Sequence, residues 1–406
     1  MKRLFIFVAV LAGFVFGGCN ASGRVVKPGV EVLVERDFAP LKGKRVGLVT
    51  NPSGVDRYLN STVDILFNAP GVELVALYGP EHGVRGDMYA GDKVADSRDA
   101  ATGLPVHSLY GSTRKPTDAM LEGVDVMVYD IQDVGARYFN YTKDVFRLMD
   151  VLKTMKDEAP SLYIVDHMNP AGRVVEGTMP SSVQEAYVPK VAHRHGLTLG
   201  ELANLYYHEI AAKFALHVIS ALATDSNKQL MPWTIAPASD IPGLFTCDMY
   251  SGGGLWNNTN ISPAIGTARP YEYIGAPFVK TSASENVPVA EGVLLRPCSF
   301  TPSCGRYEGK KCFGYQIMLE PGIEYHSLIH TLQLMRYFKE RYSEFALDEG
   351  FEAKLSDQVL LDYINGEISA EDMREHVKVE EQKWIRKAKK FTLYDDLPYR
   401  IPVHRN

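Results

Sequence analysis

From Arg45 to Pro170 the chain alternates short apolar runs with stretches of helical periodicity, and four of the runs end abruptly in polar clusters. These are Val46-Gly-Leu-Val-Thr-Asn51, Leu74-Val-Ala-Leu-Tyr-Gly-Pro-Glu81-His82-Gly83, Val126-Met-Val-Tyr-Asp130-Ile-Gln132-Asp133 and Leu162-Tyr-Ile-Val-Asp166-His167-Met-Asn169-Pro170. Apolar runs rich in β-branched residues and closed by turn residues predict strands near 45–50, 73–78, 124–130 and 161–166, with a shorter one over Val106–Tyr110. Between them lie helical patterns at Ser61–Ala69, Pro116–Leu121 and Tyr141–Asp157. The last carries Val145, Leu148, Met149, Leu152 and Met155 on one face. Strand–helix alternation of this kind predicts an α/β fold, a Rossmann-like, doubly wound parallel sheet with right-handed crossovers.

After about residue 175 the pattern changes to a smaller, mixed α+β part. Thr198 and Glu201 stand at capping-box spacing and open a helix that runs to about Ala212. Asp225–Gly254 reads as long loops near a binding face, residues 290–320 as strands, and Tyr325–Tyr342, Phe351–Ile364 and Ala370–Arg386 as helices. The expected organisation is a Rossmann-like domain over 30–180 carrying most of a cleft, and a C-terminal part over 181–406 completing it.

In open α/β sheets ligands bind outside the carboxyl ends of the strands. That places Asn51, Glu81, His82, Asp130, Gln132, Asp133, His167 and Asn169 around one polar crevice. In Gly79-Pro80-Glu81-His82-Gly83 a rigid turn holds a glutamate beside an imidazole, and a carboxyl group in a partly apolar cleft can serve as a general acid. Arg85 follows closely. Arg137 offers a planar fork for a carboxylate, Tyr138 a wall for a sugar ring, and His195 a further imidazole before a helix. A metal site built from His82, Asp130 and His167 is the weaker alternative, because no close-spaced ligand pair is present. Neither a Gly-x-Gly-x-x-Gly nor a Gly-x-x-x-x-Gly-Lys-Ser/Thr sequence occurs, so this topology implies no nucleotide here.

The N-terminus adds a location. Met1-Lys-Arg, the apolar stretch Leu4–Phe16 and Gly17-Gly18-Cys19 form a secretory signal over 1–18, too short to span a membrane. Cys19 falls where a bacterial lipoprotein is lipidated, and 19–29 reads as a tether. The expected location is the bacterial cell envelope, on the periplasmic side or the cell surface, with the lipid as the only membrane contact. The remaining composition is that of a globular protein, 46% hydrophobic and 23% charged with net charge −6, and no basic patch points to nucleic acid. Cys298 and Cys304 could close a small disulfide loop, or the remaining cysteines could be free thiols.

Gly47-Leu-Val-Thr-Asn51-Pro52, Gly79-Pro-Glu-His-Gly-x-Arg-Gly86, Ser108-Leu-Tyr-Gly111, Asp130-Ile-Gln-Asp-Val-Gly-Ala-Arg137, His195-Gly-Leu-Thr-Leu-Gly-Glu-Leu202 and Thr267-Ala-Arg-Pro-Tyr-Glu272 together resemble the NamZ-type exo-β-N-acetylmuramidases. The resemblance implies release of terminal N-acetylmuramic acid from the non-reducing end of peptidoglycan fragments, without nucleotide or metal. It implies Glu81 as the catalytic residue; in a glycoside hydrolysis with Glu81 as the acid, Asp130 or Asp133 could be the second carboxylate, or the sugar's own acetamido group could assist. His82, Asp130, Gln132, Asp133, Arg137, Asn169 and His195 would line the cleft, and Arg85 or Arg137 would meet the lactyl carboxylate. Asn257 and Ile265 stand where the family pattern has Glu and Arg, and His167-Met168 where it has Arg-Pro. A non-catalytic or specificity-shifted lipoprotein that binds muropeptides or another amino sugar is the alternative reading.

Overall fold

The computed structural model describes residues 26–86, 88, 95–180, 190–221, 235–281 and 286–394. Leu4–Phe16, Cys19 and most of the tether lie outside the described residues, as does 225–234. Among the described residues no helix is long and apolar enough to cross a membrane.

The first half forms a seven-stranded sheet in the order β3-β4-β2-β1-β5-β6-β7. Its strands are β1 (Arg45–Thr50), β2 (Glu73–Gly79), β3 (Ser97–Arg98), β4 (Pro105–Ser108), β5 (Val126–Asp130), β6 (Ser161–Val165) and β7 (Leu216–Ile219). All neighbours pair in parallel except the edge strand β3. The side-chain period of two sorts each strand between two cores. Val46, Leu48, Val126 and Val128 face helices α1 (Gly29–Glu35) and α2 (Thr62–Phe67). Val49, Met127, Tyr129, Leu162 and Ile164 face the larger core on the other side. That core takes in α4 (Asn140–Met155), which follows the short α3 (Asp118–Leu121), and α5 (Leu199–Glu209). The apolar face read for α4 is buried, with Val145, Leu148, Met149 and Leu152 each at most 1% exposed, worth about 2 kcal/mol per side chain.

Two elements beyond residue 180 complete this sheet: α5, opened by the Thr198–Glu201 capping box, and the seventh strand β7. The larger core continues without a break into the C-terminal half, through α6 (Leu244–Gly253), α7 (Ser327–Arg341), α8 (Phe351–Leu355), α9 (Gln358–Asn365) and α10 (Ala370–Ala388). A separate antiparallel sheet, β8-β10-β9, is built from β8 (Tyr273–Ala276), β9 (Val293–Phe300) and β10 (Cys312–Leu319).

Two local expectations change, and between the two readings of the cysteines one is met. The stretch read as loops up to Gly254 contains α6, whose glycines serve packing rather than turns: a Cβ on Gly252 would lie 2.4 Å from the Leu328 nitrogen on α7. The helix read over Phe351–Ile364 is broken at Ser356, which has φ +51°, and Asp357 caps the second piece. Cys247, Cys298, Cys304 and Cys312 are all free thiols, so no disulfide joins Cys298 to Cys304.

Candidate active site

A doubly wound sheet has its natural crevice where the winding direction reverses, here between β1 and β5. In this protein the crevice is filled by the chain's own polar groups. Thr50 Oγ1 donates to the Asp130 carbonyl (2.8 Å), and the Gln132 amide donates to Ser53 Oγ (3.0 Å). Asn51 accepts from Ser53 and donates to the Pro237 carbonyl (3.0 Å). Gly54 sits so close beneath that a Cβ there would lie 2.1 Å from Thr50 Oγ1.

Most of the polar groups expected to line a cleft are therefore sealed, and each has an internal partner. Asp130 is fully buried: one carboxylate oxygen lies 2.5 Å from His167 Nε2 and the other accepts from the Thr62 hydroxyl. Burial pulls the His167 pKa down, but the Asp130 charge outweighs it and holds the imidazole above its ordinary value. Asp133 accepts from Thr142 Oγ1 (2.7 Å) and the Gly135 amide (2.8 Å), and lies 3.2 Å from His195 Nε2. Burial works to raise its pKa, yet His195 and those donors bring it below the usual carboxylate range. Asn169 donates to the Leu197 carbonyl, and Gln132 Nε2 to the carbonyls of Asp133 and Met168.

Arg137 is wholly buried and donates to the backbone carbonyls of Thr178 (2.6 Å) and Leu355 (2.6 Å), with a further bond to Lys354 (3.1 Å). It pins α8 to the strand ends and has no open face for a substrate carboxylate. Arg85 is on the surface but held between Asp99 (2.8 Å) and Asp64 (3.1 Å), and it keeps the Asp99 pKa down at about 2. Tyr138 is 5% exposed and packs edge-on against Tyr250 and His193, so it offers no wall to a sugar. In this structure Asp130, Arg137 and Tyr138 are buried and Arg85 is paired on the surface, so their polar or aromatic faces are occupied by partners within the chain.

Glu81 differs. Pro80 to Gly83 make a β-turn closed by the Gly83 amide on the Pro80 carbonyl (2.9 Å), directly after β2. His82 takes φ +69° in this turn, a left-handed backbone that residues other than glycine adopt at a cost. The turn throws Glu81 out of the sheet end, where it is only half-buried. Asn140, the first residue of α4, donates Nδ2 to Glu81 Oε2 (2.5 Å). Tyr110 lies within electrostatic reach of the carboxylate, and the Tyr141 hydroxyl donates to the Glu81 carbonyl (3.2 Å). His82 stays buried, with Nδ1 3.1 Å from the Met88 carbonyl oxygen.

Around Glu81 stand groups that strand-end reasoning passed over. Asp240 lies within electrostatic reach of Glu81 and His82; burial raises its pKa, and the Tyr271 hydroxyl donates to it (3.0 Å). Tyr271 in turn accepts from Asn257 Nδ2 (3.1 Å), so the position of the family glutamate touches this same network. Asp144, one helical turn beyond Asn140, is pushed up to about 7 by burial, against the pull of Arg147 (2.8 Å) and with Glu81 adding to the rise. Asn140 and Asp144 were within reach of sequence reasoning, since i and i+4 on the predicted α4 share a face. Asp240 carried no such signal, lying in an irregular stretch. Among the described residues no cluster of three or more histidine, cysteine or acidic side chains is arranged to hold a metal ion.

Comparison with known proteins agrees with this architecture. The chain matches the family description Exo-beta-N-acetylmuramidase NamZ, N-terminal, over residues 46–239, and its C-terminal counterpart over residues 249–394. It is 34% identical over 382 residues to the Peptidoglycan beta-N-acetylmuramidase NamZ of Bacillus subtilis (strain 168), with 91% of each chain covered. A crystal structure of a DUF1343 family protein from Bacteroides fragilis is similar with a TM-score of 0.79 at 30% identity, over 91% of this chain and 99% of that one. A second DUF1343 structure from the same organism, at 24% identity and a TM-score of 0.71 over 92% and 99% of the chains, shares the fold. The chain therefore belongs to the NamZ family, formerly described as DUF1343, and carries both its N-terminal and C-terminal parts.

Proposed function

We propose that this protein is a glycosidase that releases terminal N-acetylmuramic acid from the non-reducing end of peptidoglycan fragments. The substrate class rests on family membership and on the activity named for the Bacillus subtilis relative. The observation that carries the catalytic assignment is the contrast between Glu81 and the other predicted carboxylates: Asp130 and Asp133 are sealed, while Glu81 is half-buried on a strained turn and oriented by Asn140.

Glu81, in its protonated form, donates its proton to the glycosidic oxygen as the bond from that oxygen to the anomeric carbon breaks. Asp240 supplies the second carboxylate and takes a proton from the water whose oxygen bonds to the anomeric carbon as the leaving group departs. Its raised pKa makes it the stronger base, and the Tyr271 hydroxyl fixes its orientation. The envelope location follows from the signal and Cys19, which would tether the enzyme beside its polymer.

The test is turnover of a chromogenic β-N-acetylmuramoside by the mature protein and by Glu81→Gln. Loss of general acid catalysis costs about 10²–10⁴-fold in rate, with an unchanged unfolding midpoint expected, since Glu81 is half-exposed. Retained turnover in Glu81→Gln would remove Glu81 from the mechanism. No product from the wild-type protein, with muramic acid still bound, would favour a binding lipoprotein.

A further inference from the structure

N-Acetylmuramic acid differs from N-acetylglucosamine by a lactyl ether on O3, so an enzyme that selects it needs a cation close to the catalytic acid. Arg85 is clamped by Asp64 and Asp99, and Arg137 is spent on backbone carbonyls inside the core. Ile265 stands where the family pattern has arginine. The anion needs another partner.

The geometry points to Arg114. This exposed residue follows β4 in the loop 111–116, and its guanidinium carbon lies 3.6 Å from the centre of the Tyr110 ring. Tyr110 stands between the two, within electrostatic reach of both Arg114 and Glu81, so one aromatic ring relates the cation to the acid. The Arg114 charge is also felt at Asp144, which stands one turn from the Asn140 that holds Glu81. The loop is not slack: Thr113 Oγ1 donates to the Lys115 carbonyl (2.6 Å) and accepts from the Lys115 amide (3.2 Å). A guanidinium stacked on an aromatic ring keeps its N–H edge directed outward for bidentate capture of a carboxylate.

We infer that Arg114 is the specificity-determining residue that receives the lactyl carboxylate of the terminal sugar, with Tyr110 as its platform. This rests on the muramic acid reading above, and it fails separately from it.

The experiment is calorimetric binding of N-acetylmuramic acid, its lactyl methyl ester and N-acetylglucosamine to the wild-type protein, Arg114→Met and Arg114→Lys. It requires no turnover, so an inactive wild-type protein would sink the glycosidase reading and leave this one measurable. Arg114→Met should weaken the acid by about 10–100-fold, the range for a hydrogen bond to a charged group. The ester and N-acetylglucosamine should change less than about twofold, and Arg114→Lys should recover part of the loss. Equal weakening of all three ligands would make Arg114 a mere prop for Tyr110 and overturn the inference. So would a wild-type protein that does not distinguish the acid from its ester.

Discussion

Asp130→Asn separates two accounts of the polar strand ends. If Asp130 were the second catalytic carboxylate, the substitution would leave folding intact and remove activity. The structure predicts the reverse. Asp130 is 0% exposed, and its two oxygens serve the Thr62 hydroxyl and His167 Nε2. Hydrogen bonds to charged groups contribute about 1.5–3 kcal/mol and neutral ones about 1. Asparagine keeps one acceptor oxygen and presents an amide to the other donor, so the expected loss is about 2–4 kcal/mol. The loss also depends on pH. The folded-state pKa of His167 is raised, chiefly by Asp130 against the effect of burial. The pair's stabilisation is therefore fully present below the ordinary histidine value of about 6.5 and is lost as pH rises through the folded value. In Asp130→Asn that pH-dependent part should vanish. Urea unfolding at pH 6 and pH 8.5 gives both stabilities, and muramoside turnover below the unfolding transition gives the activity of folded protein. Turnover within about threefold of wild type is expected. Unchanged urea midpoints together with a thousandfold loss of turnover would refute the structural assignment.

Asp144→Asn should remove a second pH dependence of the same sign, displaced to lower pH. Its folded pKa of about 7 lies above the ordinary 3.8, so the wild-type protein loses stability as pH rises between those values. The loss is on the order of 4 kcal/mol, and the variant should show little of it when unfolding at pH 4.5 and pH 8 is compared. Arg137→Lys should cost about 3 kcal/mol or more, because one ammonium cannot reach the Thr178, Lys354 and Leu355 carbonyls together. Thermal unfolding would show it; an unchanged midpoint would mean these bonds carry no net stability.

The sequence by itself determined the order of strands and helices in the first half, because periods of two and 3.6 are written into single segments such as Val126–Asp130 and Val145–Leu152. It also placed the polar residues at one end of the sheet. Only the tertiary structure decided which of them meet solvent. Arg137 bonds to α8, Tyr394 donates to Asp166 (2.6 Å), and the Trp384 indole donates to the His195 carbonyl (2.8 Å). The C-terminal half thus closes over the strand ends, and buried charges there became internal braces. No local pattern encodes such a long-range covering, and none reveals Asp240, which reaches the site from an irregular segment. Glu81 stands out because its turn carries it beyond that cover, a matter of backbone geometry at His82 and of its contact with Asn140 across 59 residues of chain.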